Sequence, residues 1–234
     1  MTRPEAPAKP AKPDHLRHRE RLRRRFLNGG PEALADYELL ELILFAAKPR
    51  GDTKPLAKAL LAEFGDFTGV VAAEPDRLAG VSGLGPAGIA ALKAIEAAAV
   101  RLTREQVIDR PVLTNWRQLV GYCRASMGAK KTEQFRILFL DRKNVLIADE
   151  LQQKGTVDHT PVYPREVVKR ALALEASAII MVHNHPSGDP TPSRADVEMT
   201  REVAAAAKAM NIALHDHIVI SRQGHVSFKS AGLL

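Results

Sequence analysis

The chain has 234 residues, of which 45% are hydrophobic, and its formal net charge is +7. This length suits one or two domains with ordinary cores. No apolar stretch is long enough to cross a membrane, and the single cysteine, Cys123, excludes an intramolecular disulfide and suits a reducing compartment. We therefore expect a cytoplasmic protein without a signal peptide.

Most of the positive charge lies near the N-terminus. Residues 1–30 hold nine Lys and Arg against three Asp and Glu, which is a surplus of six in the total of +7. Residues 1–14 mix proline with alanine and lysine, and we expect them to form a disordered basic tail. Residues 15–30 are rich in arginine, which predicts either a solvated helical face or a non-specific contact with DNA.

Two domains are predicted to follow the tail. A helical domain covers residues 15–104, with Asp36 as the N-cap of a helix over 37–46, and a linker covers 105–111. Residues 112–234 are predicted to form an α/β domain. Its predicted elements are, in chain order, a helix over 116–127, strands over 135–140 and 145–152, a helix over 164–176, a strand over 178–185, a helix over 193–210 and strands over 213–221 and 225–228.

Residues 78–92 of the helical domain resemble a helix-hairpin-helix. Gly83 and Gly85 would allow its tight turn, and the helix that follows would offer free N–H groups to a DNA phosphate. Lys93 is the nearest basic side chain. Such hairpins also serve as packing or protein-contact elements, so both interpretations stay open.

The most informative motif in the chain is H-x-H-x7-S-x2-D, which begins at His183 and His185. The preceding run, residues 177–182, is short, apolar and β-branched, which is typical of a buried strand. Because side chains alternate along a strand, both imidazoles are expected on the same face, where they can bind one metal ion. Two imidazoles and a carboxylate form the ligand set of a hydrolytic zinc site.

The second half of the motif is predicted to begin a helix at Ser193. Its core-facing stripe is predicted to contain Asp196, Thr200, Val203, Ala207 and Met210. Ser193 and Asp196 are also explained by a capping box, but the upstream histidines favour a metal-binding role for the aspartate. Ser193 is able to cap the helix and to present its hydroxyl to a reacting centre as well.

A hydrolytic zinc site also needs a carboxylate that takes a proton from water. Asp149 and Glu150 lie on opposite faces of the predicted strand over 145–152, and periodicity alone does not decide which of them faces the metal. A second H-x-H, at residues 215–217, has no carboxylate at a suitable distance. We therefore interpret His217 as a structural residue or as a support behind the metal ligands.

The motif resembles the JAMM signature of MPN-domain (JAB-type) metallopeptidases, and more closely the bacterial RadC branch (UPF0758) of that superfamily. The resemblance covers roughly residues 15–234 and implies an MPN α/β sandwich with a mixed sheet. Asn184 replaces the Ser or Thr that deubiquitinating members have between the histidines, so their substrate is not carried over. The segments that carry the resemblance to RadC are 155–156, 164–172, 183–188 and 192–196.

The resemblance implies one zinc ion per chain, bound by His183, His185 and Asp196. It also implies that Glu150 is the general base and that the Ser193 hydroxyl stabilises the oxyanion. The substrate would be an unidentified peptide or protein, cleaved at a peptide or isopeptide bond. The name RadC carries an association with DNA repair.

Two other functions stay open at this point. One is a DNA-associated adaptor in which the metal site is structural. The other is a metal-dependent nuclease, which is disfavoured because one zinc site offers no second metal ion to the phosphoryl oxygens. The tripeptide His183-Asn184-His185 does not indicate the nuclease family named after those letters, because that family spreads them over a longer motif.

Overall fold

The structure is a computed structural model that describes residues 14–154 and 162–234, with side chains over 17–152 and 162–234. Residues 1–13 of the predicted tail and residues 155–156 lie outside the described residues. The chain divides into two compact units between residues 94 and 95. Within the described residues, none of the helices has the length and apolarity needed to cross a bilayer.

The first unit is helical and packs around leucines such as Leu40, Leu60 and Leu92, which have no exposed surface. Asp36 is not the N-cap of the second helix, as predicted, but its first residue. Ala35 is the N-cap, and its N–H is satisfied by Oε2 of Glu38 at 3.1 Å. The helices are α1 (Asp14–Gly29), α2 (Asp36–Ala47), α3 (Lys54–Phe64), α4 (Phe67–Ala72), α5 (Pro75–Ala79) and α6 (Pro86–Glu105), which crosses the unit boundary.

The predicted hairpin lies between α5 and α6. Gly83 has a φ of +86°, which favours glycine there, whereas Gly85 has no positive φ and is not needed for its backbone conformation. The Lys93 ammonium donates hydrogen bonds to the carbonyl oxygens of Val71 at 3.2 Å and Ala73 at 3.0 Å. Lys93 therefore stabilises the C-terminal end of α4, a role that the sequence did not indicate.

The second unit is a mixed α/β structure, as predicted. Its sheet has the strand order β2-β1-β3-β4-β5, in which β3 and β4 are parallel and the other pairs are antiparallel. The predicted element ends agree with the observed ones to within about three residues. The elements are α7 (Trp116–Met127), β1 (Gln134–Leu140), β2 (Leu146–Lys154), α8 (Pro164–Ala173), β3 (Ala178–Asn184), α9 (Arg194–Ala209), β4 (Ala213–Ile220) and β5 (His225–Ser227).

Both faces of the sheet are covered, which explains why every residue of β3 is buried. Ile180 and Val182 point to the α7 side and pack with Leu119. Ile179 and Met181 point to the α8 and α9 side and pack with side chains of those helices, which include Val167, Ala171, Val203 and Ala207. The alternation thus directs the next odd-numbered residue, His183, to the α8 and α9 side.

The predicted stripe of α9 is largely correct. Thr200, Val203 and Ala207 are buried, and Asp196 is half-buried in the first turn. Met210 is instead 52% exposed. The helix ends at Ala209, so the backbone leaves the helical path before Met210 reaches the core-facing side.

Ile180→Ala should lower the free energy of unfolding by about 2–5 kcal/mol, because it opens a cavity in the middle of the central strand. Leu172→Ala is the matched control, because Leu172 is 52% exposed, and it should change the value by less than about 0.5 kcal/mol. Urea unfolding followed by circular dichroism measures both. Equal effects of the two substitutions would contradict the assigned position of β3.

Candidate metal centre

The two histidines of the motif lie at the C-terminal end of β3. His183 is its sixth residue and is fully buried. His185 lies just beyond the strand, but its N–H donates to the carbonyl oxygen of Ile220 at 2.8 Å, so the extended backbone continues to this position. Phe135, the register partner of His183 on β1, stacks on the His183 ring with a centroid distance of 5.8 Å. The strand alternation therefore brings both imidazoles together on the α9 side.

Asp196 is presented to the histidines by the first turn of α9. Ser193 is the N-cap, and its Oγ accepts a hydrogen bond from the Asp196 N–H at 3.2 Å. In return, Oδ2 of Asp196 accepts from the N–H and from the hydroxyl of Ser193, each at 2.7 Å. The capping box and the metal-ligand position therefore coexist, and the box fixes the direction of the carboxylate.

Three ligand atoms converge at this point. The Nε2 atoms of His183 and His185 are 2.9 Å apart, and oxygens of Asp196 lie 3.4 Å and 3.5 Å from them. In a tetrahedral zinc site with bonds of about 2.0–2.2 Å, neighbouring ligand atoms are about 3.3–3.5 Å apart. Asp196 meets His183 through Oδ1 and His185 through Oδ2, and both distances match this spacing, whereas the two Nε2 atoms are somewhat closer together. The residues therefore fit a zinc ion.

The second ring nitrogen of each imidazole, Nδ1, makes a contact on the side of the ring away from the converging Nε2 atoms. Nδ1 of His185 lies 2.9 Å from the carbonyl oxygen of Asp189, to which it donates because a carbonyl only accepts. Nδ1 of His183 lies 2.8 Å from Nε2 of His217, a fully buried side chain on β4. Such contacts behind the ligands orient the rings toward a metal ion. His217 thus lies where a supporting residue is expected.

The structure separates the two carboxylates between which periodicity does not decide. Asp149 faces α7, where it accepts hydrogen bonds from the Tyr122 hydroxyl and, at 2.8 Å, from Nε of Arg136. Glu150 is on the same side of the sheet as the histidines, but it binds Arg170 of α8 through both carboxylate oxygens. Asp149 therefore points away from the three ligand atoms.

Glu150 is also distant from the ligand atoms along the sheet. It pairs with Ile137 on β1, and Ile137 pairs with Met181, two residues before His183. With strands about 4.8 Å apart and residues about 3.3 Å apart, its backbone lies roughly 12 Å from that of His183. Glu150 therefore does not lie beside the three ligand residues, although the resemblance to RadC implies that it is the general base.

A third carboxylate, Glu133, was not identified from the sequence. It precedes β1 and lies two residues before Phe135, the register partner of His183, so the same alternation directs it toward His185. Its charge makes a small contribution to raising the pKa of His185, which agrees with this direction. Extending the alternation of β1 from Phe135 to the residue two positions earlier would have indicated Glu133.

Asn184, between the two histidines, points to the opposite side of the sheet and fixes the segment that contains Glu133. Its carboxamide oxygen accepts from the N–H of Gln134 at 2.8 Å. Its amide nitrogen donates to the carbonyl oxygens of Lys130 at 3.3 Å and Thr132 at 3.2 Å. A Ser or Thr side chain, as in the deubiquitinating members, is too short to make all three contacts.

Comparison with known proteins shows the family of this chain. The family profile described as RadC-like JAB domain matches residues 113–233, and the profile described as UPF0758 N-terminal matches residues 14–90. The chain belongs to the RadC (UPF0758) family. At the level of reaction class, its JAB domain indicates at most a JAMM-like metal-dependent hydrolase.

Close relatives of this RadC-family chain extend over nearly its whole length. It is 62% identical over 213 residues to a UPF0758 protein of Rhodobacter capsulatus, which covers 91% of this chain and 100% of that protein. It is 56% identical over 223 residues to a UPF0758 protein of Ruegeria pomeroyi, which covers 95% and 100% respectively. The names of these relatives do not specify an activity.

The electrostatics of the site favour a bound cation. Burial alone would raise the pKa of Asp196, but its contacts with His183, His185 and Ser193 hold that pKa far below its ordinary value. The hydrogen bond to Asp196 raises the pKa of His185. Burial, together with the neighbouring His183, holds the pKa of His217 well below its ordinary value, so this ring is neutral. A permanent carboxylate therefore faces the two Nε2 atoms.

In the metal-free protein, His185 should titrate above the ordinary histidine value of about 6.5, because Asp196 stabilises the imidazolium. This interaction adds stability that is fully present below the unfolded pKa and is lost as the pH rises through the folded pKa. Asp196→Asn should shift the His185 midpoint downward. Nuclear magnetic resonance of the ring measures both midpoints, and a midpoint in the parent protein at or below about 6.5 would contradict the assignment.

Proposed function

We propose that this RadC-family protein is a zinc-dependent hydrolase that cleaves a peptide or isopeptide bond, with one zinc ion per chain. The observation that carries this proposal is the convergence of the Nε2 atoms of His183 and His185 with the Asp196 carboxylate. Three protein ligands of this kind leave a fourth position for water or substrate, which distinguishes a hydrolytic zinc site from a closed structural one.

The three proposed ligands have different roles. His183 is buried and packs against the rings of Phe135 and His217, which fixes its position, whereas His185 is 17% exposed and borders the solvent. Asp196 supplies the negative charge. A zinc ion bound to these atoms would lower the pKa of a coordinated water and polarise the carbonyl of the scissile bond.

We propose Glu133 as the general base, in place of the Glu150 implied by the family resemblance. Glu133 is supported by its place two residues before Phe135, the register partner of His183, and by the anchoring of its segment through Asn184. It would take the proton of the attacking water and pass it to the nitrogen of the leaving amine. The hydrogen bonds from Arg170 lower the pKa of Glu150, which makes that carboxylate a weaker base.

Ser193 remains the proposed oxyanion-stabilising residue. Its exposed hydroxyl donates to Asp196 in the present arrangement. To stabilise a tetrahedral oxyanion, the hydroxyl would rotate from that carboxylate to the substrate oxygen, while its Oγ continues to accept from the Asp196 N–H.

Zinc content tests the ligand set. After zinc-replete purification and dialysis, the parent protein should retain about one zinc ion per chain, and His183→Ala should lose it because a three-ligand set is reduced to two. His225→Ala is the matched control, because His225 is an exposed histidine on β5, and it should retain the ion. Metal analysis by mass spectrometry measures the content. An unchanged zinc content in His183→Ala would contradict the proposed ligands.

Two isosteric substitutions test the base. Glu133→Gln should lower turnover by about 10²–10⁴-fold with unchanged zinc content, because the proton acceptor is removed and the ligands are not. Glu150→Gln should lower turnover only a few-fold. The assay is cleavage of a proteome-derived peptide library, read by mass spectrometry of new termini. The reverse ranking would assign the base to Glu150, and no cleavage by the parent protein would contradict the proposed reaction.

We infer separately that α1 makes non-specific contacts with duplex DNA. Arg17, Arg21 and Arg24 are exposed and lie at i, i+4 and i+7, so they form one basic stripe along the helix. Lys93 supports this function less than predicted, because its ammonium binds two backbone carbonyls. Phosphate contacts from such a stripe give affinity without sequence specificity.

Replacing Arg17, Arg21 and Arg24 together with alanine should weaken duplex binding. The slope of log affinity against log salt should become less negative by about 0.9 for each phosphate that the variant no longer neutralises. Replacing Arg165 and Arg194, two exposed arginines of the C-terminal unit, is the control and should leave the slope unchanged. Fluorescence anisotropy measures the affinity. Equal slopes for the triple variant and the parent protein would contradict the inference.

A further inference from the structure

The hydroxyl of Thr200 has only one arrangement of its proton that satisfies its neighbours. Its Oγ1 lies 2.5 Å from the carbonyl oxygen of Asp196, one turn earlier in α9. Because a carbonyl cannot donate, the hydroxyl proton must lie between these two oxygens. The same Oγ1 lies 2.6 Å from Nδ1 of His217. Thr200 therefore accepts at that contact, and Nδ1 of His217 carries a proton.

This proton fixes the state of the next group. His217 is fully buried between the rings of Phe135 and Phe228, at centroid distances of 5.6 Å and 4.5 Å. A neutral imidazole with its proton on Nδ1 has a lone pair on Nε2. That nitrogen lies 2.8 Å from Nδ1 of His183 and must accept from it.

His183 consequently has its proton on Nδ1 and its lone pair on Nε2, the atom that faces His185 and Asp196. The opposite tautomer would place an N–H bond where a metal ion must bind. For His185, a backbone carbonyl, that of Asp189, excludes this tautomer. For His183, only the side chains of His217 and Thr200 do so among the residues that the structure describes.

We propose that Thr200 and His217 are positioning residues that hold His183 in the tautomer able to bind the metal ion. The contacts run from β3 through β4 to α9 and end on the backbone of Asp196, so they also connect two of the three proposed ligands. This proposal rests on the proposed function for its consequence, which is metal affinity. The tautomer itself is a property of the metal-free chain.

Thr200→Val and Thr200→Ser form a matched pair for the test. Valine has nearly the shape of threonine but cannot accept the proton of His217, whose Nδ1–H would then be buried without a partner. His217 should change to the Nε2–H tautomer, and His183 should follow. Serine keeps the hydroxyl and should preserve both states.

The first measurement is made on the metal-free full chain at about pH 8. At this pH an ordinary histidine is neutral and has a proton on only one ring nitrogen. Long-range ¹H–¹⁵N correlation spectra report the tautomer of each ring. The parent protein and Thr200→Ser should show Nδ1–H for His183 and His217, and Thr200→Val should show Nε2–H. Nε2–H at His183 in the parent protein would overturn the proposal, whether or not the valine variant folds.

The second measurement is the dissociation constant of zinc, obtained by competition with a chromophoric chelator. Thr200→Val should bind zinc about 10- to 100-fold more weakly, and Thr200→Ser should remain within about threefold of the parent protein. Equal weakening by serine and valine would overturn the proposal, because it would indicate a packing effect. If the parent protein has the stated tautomers but does not bind zinc, the proposed function fails and the positioning role of Thr200 is still supported.

Discussion

The hydrogen bonds at the Nδ1 atoms of His183 and His185 are the constraint on which the site depends. They direct two lone pairs to one point, where the Nε2 atoms are 2.9 Å apart and face the carboxylate of Asp196. The lone pairs and the carboxylate charge repel one another at this spacing unless a proton or a metal ion lies between them. The fold supplies the rigidity that keeps them in place, because β3 is buried on both faces and Asp196 is fixed by the cap of α9.

The parallel pairing of β3 and β4 explains how β4 contributes a residue that contacts the metal ligands. The crossover through α9 brings β4 alongside β3 and places His217 opposite Met181, two residues before His183 on the same face of the sheet. The same crossover carries both Asp196 and Thr200, four residues apart on one side of the helix. One βαβ unit thus provides a proposed histidine ligand, a proposed carboxylate ligand and the two groups that orient the histidine.

Much of this arrangement follows from the sequence, because strand and helix periodicity are local. Alternation along residues 177–185 predicts that both histidines share a face, and the 3.6-residue period places Asp196 and Thr200 on the inner side of α9. Which side of β2 faces the histidines depends on pairing with β1, which periodicity does not reveal. The position of Glu133 depends on the same pairing, and this residue precedes both the predicted and the observed β1. The proton arrangement of Thr200 and His217 depends on distances of tenths of an ångström, which no residue pattern encodes.

We expect His183, His185 and Asp196 to bind one zinc ion at the point where their ligand atoms converge. Anomalous diffraction from crystals of the zinc-purified protein, recorded on both sides of the zinc absorption edge, tests this most directly. We expect one anomalous peak per chain at about 2.0–2.2 Å from the two Nε2 atoms and a carboxylate oxygen of Asp196. A peak at another position, or no peak at this one, would contradict the account.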